Sequence, residues 1–249
     1  RLFSDASVSD ELAMHYQPKY SLASGEIVGF EALSRWNHSA LGYVPPAEFI
    51  PLVERTKLIQ PLTQFIIKKT VADIAKNRDE GFELPIAVNI SVKDLIDPKL
   101  IPFIQKAVLT HQVPHHLLEI EITETSILEN TELAIQRIHQ LQRAGFNVAI
   151  DDFGTGHSSL AYLAHLPVSY IKIDPLFIRE IHNERTGIIV KSIIELAAKI
   201  GVGLIAEGVE DIQALRVLQS LHCPIVQGFF LGKPMPRAIA VTSGIKMRS

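Results

Sequence analysis

The stretch "GIIVKSIIELAAKIGVGLIAE", residues 187–207, places a helix pattern directly before a strand pattern. In its first part, apolar residues recur at spacings of four, three and four, which puts them on one face of a helix. These residues are Ile189, Ile193, Leu196 and Ile200. Gly201 follows them, as expected of the residue that ends a helix, and the apolar run 202–206 predicts a buried strand. The stretch therefore predicts one helix-to-strand step of an α/β fold.

The same alternation continues on both sides of this stretch, from about residue 58 onward. The chain begins differently, because two strand patterns joined through Ser24 and Gly25 predict an antiparallel hairpin. The predicted strands are "AMHYQPKYSL", "EIVGFEALSRW", "PIAVNIS", "LLEIEIT", "NVAID", "YIKID", "VGLIAE" and "PIVQG". Eight strands alternating with helices predict an α/β fold of the (β/α)8 TIM-like barrel type, with an antiparallel first strand.

Length and composition suit a single domain. The 249 residues are 47% hydrophobic and 20% charged, with no linker or low-complexity tract. We therefore expect residues 1–249 to form one domain, with its core at about 12–237. The net charge of −3 gives no overall basic field, which excludes polymeric nucleic acid as a partner.

The single cysteine, Cys223, excludes an intrachain disulfide and a multi-cysteine zinc site, and we expect it to be a small buried hydrophobe. No apolar run approaches the roughly 18 residues that a membrane span needs, and the start lacks a signal peptide. These features predict a cytoplasmic chain, or the cytoplasmic part of a larger membrane-bound protein. Since it starts without methionine, we expect it to be a fragment of a longer protein.

Most predicted strands end with a polar residue where the apolar run stops. In chain order these are Glu31, Asn89, Glu121, Asp151 with Asp152, Lys172, Glu207 and Gln227. The carboxyl ends of barrel strands meet at one mouth, so these side chains are expected to converge on one site. Carboxylate and amide oxygens favour Mg²⁺ or Mn²⁺ over zinc.

The adjacent carboxylates Asp151 and Asp152 repel each other unless a cation lies between them. Both reach the site only if the strand ends there, which Gly154 and Gly156 permit. Two neighbouring carboxylates can hold two metal ions, the arrangement that clamps the attacking and leaving oxygens in phosphoryl hydrolysis.

Strand alternation adds a phosphate-binding group, because Glu31, Leu33 and Arg35 share one face. The Arg35 guanidinium is then expected near the metal carboxylate, where it can bind phosphate, and Lys172 can neutralise developing charge. The pattern indicates a phosphodiesterase site.

Each assignment has a structural alternative. Glu31 could pair with Arg35, Asp151 and Asp152 could cap the next helix, and Lys172 could pair with Asp174. Glu119 shares strand parity with Glu121, and its partner is not evident from the sequence.

Seven motifs in order resemble the EAL-domain cyclic di-GMP phosphodiesterases over about Leu12 to Arg237. They are "YQPKYSLASGEIVGFEALSRWNH", "NIS", "EITET", "DDFGTGHSSLAYL", "LPVSYIKID", "AEGVE" and "QGFFLGKP". The resemblance implies hydrolysis of cyclic di-GMP to linear pGpG with two Mg²⁺ or Mn²⁺ ions per site, and inhibition by Ca²⁺.

The resemblance also implies roles for individual residues. The metal ligands would be Glu31, Asn89, Glu121, Asp151, Asp152 and Glu207. The catalytic residues would be Lys172, Glu207 as general base or metal ligand, and Glu124 as the anchor of the loop after "NVAID". The substrate contacts would be Gln17, Leu33, Arg35, Asp152 and Gln227.

That loop, residues 152–160, is implicated in the family in dimerisation, so a homodimer through it is expected, with sensory or GGDEF domains upstream. Position 157 is His where the family usually has Tyr or Phe. Two other functions fit the same barrel: a cyclic di-GMP receptor that does not cut its ligand, and an unrelated metal-dependent barrel enzyme.

Overall fold

A computed structural model describes residues 11–56, 58–154 and 166–242. The strands are β1 (Leu12–Ser21), β2 (Ile27–His38), β3 (Gly42–Val44), β4 (Ile86–Asn89), β5 (Leu118–Thr123), β6 (Asn147–Phe153), β7 (Tyr170–Ile173), β8 (Gly203–Ala206), β9 (Ile225–Val226) and β10 (Met235–Pro236). The helices are α1 (Pro46–Glu54), α2 (Ile59–Asp79), α3 (Val92–Leu95), α4 (Leu100–Thr110), α5 (Glu124–Glu129), α6 (Thr131–Arg143), α7 (Pro175–Arg179), α8 (Glu184–Ile200), α9 (Ile212–Ser220) and α10 (Arg237–Thr242). A short 3₁₀ helix spans His115–Leu117.

Eight of these strands close into a barrel in the order β1-β9-β8-β7-β6-β5-β4-β2, and β2 pairs back to β1. The first strand is antiparallel to both of its ring neighbours, whereas β2 and all later ring strands run parallel. This confirms the predicted (β/α)8 barrel with an antiparallel first strand. Two further short strands, β3 and β10, pair with β2 and β1 as additions to the eight-stranded ring.

The barrel strands are buried on both sides, and β5 shows how the sequence produces this. Leu118, Ile120 and Ile122 belong to the main apolar core, while the alternating residues Glu119 and Glu121 are equally buried. Since alternate residues of a strand point to opposite sides, the second set lies inside the barrel. The barrel interior therefore holds charged groups, which must be paired with one another.

The helix over residues 187–200 is confirmed, but the face named from its periodicity is not the most buried one. In α8 the buried residues are Val190, Ile194 and Ala197, whereas Ile189 is 45% exposed and Ile200 is 39% exposed. The apolar residues of α8 form a stripe wider than the contact with the sheet, and periodicity alone does not choose the side that packs.

We expect this choice of face to be visible in stability. Ile194→Ala removes buried methyl groups and should lower the free energy of unfolding by about 2–4 kcal/mol. The chemically identical change Ile189→Ala, on the exposed side, should change it by no more than about 0.5 kcal/mol. Urea denaturation of both variants measures the difference, and equal losses would mean that the sequence-based face is the buried one.

The environment of Cys223 agrees with the sequence analysis. Cys223 is buried and 2% exposed, and burial raises the pKa of its thiol to about 12, as expected of an inert hydrophobe. Within the described ranges, none of the helices is at once long and apolar enough to cross a membrane.

Candidate active site

The predicted convergence at the barrel mouth is observed around Lys172. This side chain is completely buried on β7, and its Nζ contacts carboxylates that come from other parts of the ring. The distances from Nζ are 2.7 Å to Glu121 Oε2, 2.7 Å to Glu207 Oε1, 3.0 Å to Asp151 Oδ2 and 3.7 Å to Glu31 Oε2. One ammonium group thus serves four carboxyl groups, and the alternative ion pair of Lys172 with Asp174 is wrong. Asp174 instead accepts a hydrogen bond from the Leu176 amide and caps α7.

Three of these carboxylates are close enough to share one cation. Glu31, Glu121 and Asp151 each offer an oxygen within 4.8 Å of the others. Asn89 lies beside them, since its Nδ2 donates a 2.7 Å hydrogen bond to Glu31 Oε1. Four of the predicted metal ligands, Glu31, Asn89, Glu121 and Asp151, therefore form one cluster.

The sequence analysis placed Glu31 at the end of its strand, and this is wrong. It is near the middle of β2, opposite Gln17 on β1 and Ala87 on β4. The strand continues beyond it because pairing with β1 and β3 extends β2 past the barrel rim.

The length of β2 also separates Arg35 from the cluster, because four residues of strand advance the backbone by about 13 Å. Arg35 Nη1 donates to the carbonyl of Ser34 at 2.9 Å. Among the described residues no ion pair joins Arg35 to Glu31, so the alternative pairing of these two residues is wrong in this structure, and the role of Arg35 in binding phosphate stays a prediction.

Two glutamines fix the orientation of Glu31. Gln227 Nε2 donates to Glu31 Oε2 at 2.7 Å and to Gln17 Oε1 at 3.2 Å, and Gln17 Nε2 donates to the carbonyl of Gly232 at 3.1 Å. Gly228 follows Gln227 because a Cβ at this position would lie 2.2 Å from the Val209 carbonyl oxygen. The close approach of these two segments holds Gln227 against the cluster.

Asp151 and Asp152 are presented differently, and the strand does not end between them. β6 continues to Phe153, with irregular pairing to β7 between Ile150 and Phe153. Asp152 has φ of 55°, in the left-handed region, which rotates its side chain out of the strand alternation. The bulge thus breaks the strand alternation at Asp152, an effect that the sequence analysis attributed to the end of the strand. Residues 155–165, which include Gly156, lie outside the described residues. The alternative that Asp151 and Asp152 cap the next helix concerns these residues.

Among the described residues around the mouth, the carboxyl groups outnumber the lysines that can neutralise them. Burial raises the pKa of Glu207 well above its usual range, with Asp151 adding to the effect, and burial raises that of Glu31. Burial would also raise the pKa of Glu121, but Lys172 and Lys19 lower it to about 2. Lys172 keeps its proton, because the surrounding carboxylates outweigh burial and raise its pKa. Further positive charge would favour ionisation of Glu31 and Glu207.

Asp152 supplies a pH-dependent prediction. Its burial, together with the charges of Asp151 and Asp174, raises its pKa from 3.8 to about 6. The folded state therefore holds the proton more tightly than the unfolded chain, so ionised Asp152 lowers stability above pH 6 and not below 3.8. We expect Asp152→Asn to stabilise the metal-free protein at pH 8, with the gain shrinking as the pH falls from about 6 to 3.8. Urea denaturation at several pH values tests this, and a gain independent of pH would contradict the assignment.

Glu124 lies at the start of α5. It is fully buried, and its Oε2 accepts a 2.9 Å hydrogen bond from the amide of Gly154. The contact fixes the chain where β6 ends and the following loop begins. The loop residues 155–165, including His157, lie outside the described residues.

The sequence analysis missed one site residue, Lys19 on β1. Its Nζ lies 2.7 Å from Glu119 Oε1 and 2.8 Å from Glu121 Oε1, which identifies the partner of Glu119. A signal was present, because Lys19 shares strand parity with Gln17 and so points into the barrel.

Two cavities adjoin this part of the structure, one through Glu31 and Glu207 and the other through Asn89. The smaller, about 210 Å³, is lined by Gln17, Glu31, Leu33, Glu207, Gln227 and Phe229 among others. The larger, about 390 Å³, is mainly apolar and includes Leu33, Ile50, Ile66, Asn89, Ser91 and Thr123. Leu33 lines both cavities, so it lies between them.

Comparison with known proteins gives one consistent family. A family model described as EAL domain matches residues 2–234. The cyclic di-GMP phosphodiesterase PdeR of Escherichia coli K12 is 38% identical over 229 residues, covering 92% of this chain and 34% of PdeR. The cyclic di-GMP phosphodiesterase PA2567 of Pseudomonas aeruginosa is 34% identical over 221 residues, covering 88% of this chain and 38% of PA2567. The chain thus spans well under half the length of either relative.

The fold agrees with a solved structure of the same kind. A complex of the PaMucR phosphodiesterase with c-di-GMP matches with a TM-score of 0.89 at 36% identity, covering 93% of this chain and 94% of that one. The fold of this chain therefore matches nearly all of that solved chain.

Proposed function

Since this chain belongs to the EAL domain family, we propose that it hydrolyses cyclic di-GMP to linear pGpG with the help of two Mg²⁺ or Mn²⁺ ions. The observation that carries the proposal is the cluster of Glu31, Glu121 and Asp151, whose oxygens lie within 4.8 Å of one another. Hard oxygen ligands of this kind suit these two ions.

The charge of the site fits such ions. Six carboxyl groups named above, taken with the two lysines that they surround, leave four negative charges uncompensated when all are ionised. The groups are Glu31, Glu119, Glu121, Asp151, Asp152 and Glu207, with Lys19 and Lys172. Two divalent cations would neutralise this excess. Glu31, Asn89, Glu121 and Asp151 would hold the first ion, and Asp151, Asp152 and Glu207 the second.

Bound at these residues, the ions would activate water and stabilise negative charge on the phosphate. Lys172 acts as a cation, since its raised pKa keeps its proton in place, and it can stabilise charge that develops on the phosphate oxygens. Glu207 differs from Lys172 in its role. The raised pKa of its carboxyl group suits a base that accepts a proton from water. Its carboxylate can fill this role or that of metal ligand.

The two cavities suit the two halves of the substrate. With the scissile phosphate at the carboxylates, one guanosine would enter the cavity of Phe229 and Gln227, and the other the apolar cavity of Ile50 and Ile66. Leu33, which lines both cavities, would separate the two nucleosides. Gln17 and Arg35 complete the proposed substrate contacts.

The test is incubation of the purified chain with cyclic di-GMP and Mn²⁺, followed by chromatography. We expect pGpG to accumulate with Mn²⁺ or Mg²⁺ and no product with a chelator. Calcium should inhibit when added in excess. Binding of cyclic di-GMP without product would support the receptor, and absence of binding would support the unrelated barrel enzyme.

The wider context is also a proposal. We place the reaction in the cytoplasm and expect a homodimer formed through the loop after β6, with sensory or GGDEF domains elsewhere in the full-length protein. Sedimentation of the purified chain measures the oligomeric state, and a monomer at all concentrations would contradict this mode of assembly.

A further inference from the structure

The two carboxylate oxygens of Glu121 are divided between two buried lysines. Oε2 faces Lys172 at 2.7 Å, in the middle of the acidic cluster, and Oε1 faces Lys19 at 2.8 Å. Glu121 is completely buried, so both oxygens depend on these partners and not on bulk water.

Lys19 is itself held in place from a second direction. Its Nζ contacts Glu119 Oε1 at 2.7 Å, and Lys19 and Glu119 are each only 4% exposed. β1 and β5 are not neighbours in the ring, so these ion pairs cross the barrel interior. Glu119 and Glu121 share one face of β5, and Lys19 joins their carboxylates.

The two lysines differ in whether an entering metal ion would compete with them for Glu121. Lys172 serves four carboxylates at the mouth, the same groups that would ligate the ions. Lys19 pairs with Glu119 and Glu121, and Glu119 lies two residues nearer the opposite end of the barrel. A cation that enters at the mouth thus competes with Lys172 for Oε2 and leaves Lys19 on Oε1.

We propose that Lys19, anchored by Glu119, restricts Glu121 to a single metal–oxygen bond and thereby favours Mg²⁺ or Mn²⁺ over Ca²⁺. Mg²⁺ requires near-octahedral coordination, whereas Ca²⁺ takes six to eight oxygens and commonly binds a carboxylate through both. A glutamate with one oxygen engaged is suited to the smaller ion. Lys19 is in this sense a positioning residue that acts through Glu121, and the inference rests on the proposed metal site.

The test is calorimetric titration of Mg²⁺, Mn²⁺ and Ca²⁺, each separately, into metal-free protein without nucleotide. The variant is Lys19→Met with Glu119→Gln, which removes one charge of each sign and leaves the net charge unchanged. We expect the ratio of Ca²⁺ to Mg²⁺ affinity to rise about tenfold, as for other residues that orient a metal ligand. Glu119→Gln alone is the matched control, because its amide oxygen can still accept a hydrogen bond from Lys19, which stays on Glu121, so the ratio should remain at the parental value.

The outcomes separate this inference from the proposed function. A parent protein that binds none of the three ions contradicts the proposed function and this inference with it. A parent that binds Mg²⁺, together with a double variant whose ratio is unchanged, contradicts the role of Lys19 alone.

A second measurement needs no variant and therefore does not depend on whether the double variant folds. Crystals of the parent with Mn²⁺ and with Ca²⁺ should show Glu121 Oε2 as the ligand and Oε1 on Lys19. If both oxygens of Glu121 ligate either ion, the inference is overturned.

Discussion

Glu31→Ala is expected to lower the turnover of cyclic di-GMP by at least about a thousandfold, because a metal ligand of this kind contributes several kcal/mol to transition-state stabilisation. Glu31 belongs to the three-carboxylate cluster and also receives the amides of Asn89 and Gln227. Its loss removes a negative charge from the metal site and leaves the amides of Asn89 and Gln227 without this acceptor. The measurement is kcat at saturating Mn²⁺, with circular dichroism to verify the fold.

Two further variants make this result specific. Glu31→Gln keeps a side-chain oxygen that can accept from Asn89 or Gln227 but removes the charge, so it should be nearly as inactive as the alanine variant. Glu26→Ala, an exposed residue of the same hairpin, should keep parental turnover. Parental activity in Glu31→Ala would mean that the ligand set is wrong.

Lys172→Met is expected to abolish turnover and to destabilise the metal-free protein by about 3–5 kcal/mol, the usual effect of removing one partner of a buried ion pair. Glu121, Asp151 and Glu207 lie within 3.0 Å of this ammonium group and would lose it together. A divalent cation can replace part of the lost charge. Saturating Mn²⁺ should therefore stabilise the variant more than it stabilises the parent.

Urea denaturation with and without Mn²⁺ measures both effects. Lys191→Met is the matched control, because Lys191 forms an exposed pair with Glu195 at 3.9 Å on α8 and should change stability little. If Lys172→Met lost the same stability with and without Mn²⁺, the proposed replacement of the lost charge by the metal ion would be wrong, and if Mn²⁺ stabilised neither protein, the acidic cluster would not be a metal site.

The order of strands and helices was predictable because each element has its own short-range pattern. The hairpin through Ser24 and Gly25 and the alternation that follows predicted eight ring strands, including the antiparallel first one. The convergence of Glu31, Glu121 and Asp151 was also predictable, since parallel strands of a barrel share one mouth. That step needed only the chain position of each residue and the direction of its strand.

Other features depend on which residues from distant strands face each other. Glu119 has no partner within its own strand, and Lys19 is 100 positions away along the chain. The bulge at Asp152 is set by how β6 pairs with β7, and the buried side of α8 by how the helix packs on the sheet. None of these interactions produces a periodic pattern in the sequence around the residues involved.

The sequence by itself therefore determined the barrel, its antiparallel first strand and the acidic composition of its mouth, because periodicity and strand polarity are local properties of the chain. Only the tertiary structure decided that Lys172 contacts four carboxylates, that Lys19 takes one oxygen of Glu121, and that Arg35 does not pair with Glu31. Ion pairs inside a closed barrel depend on distances of a few ångström across the ring, and these follow from ring closure and strand register.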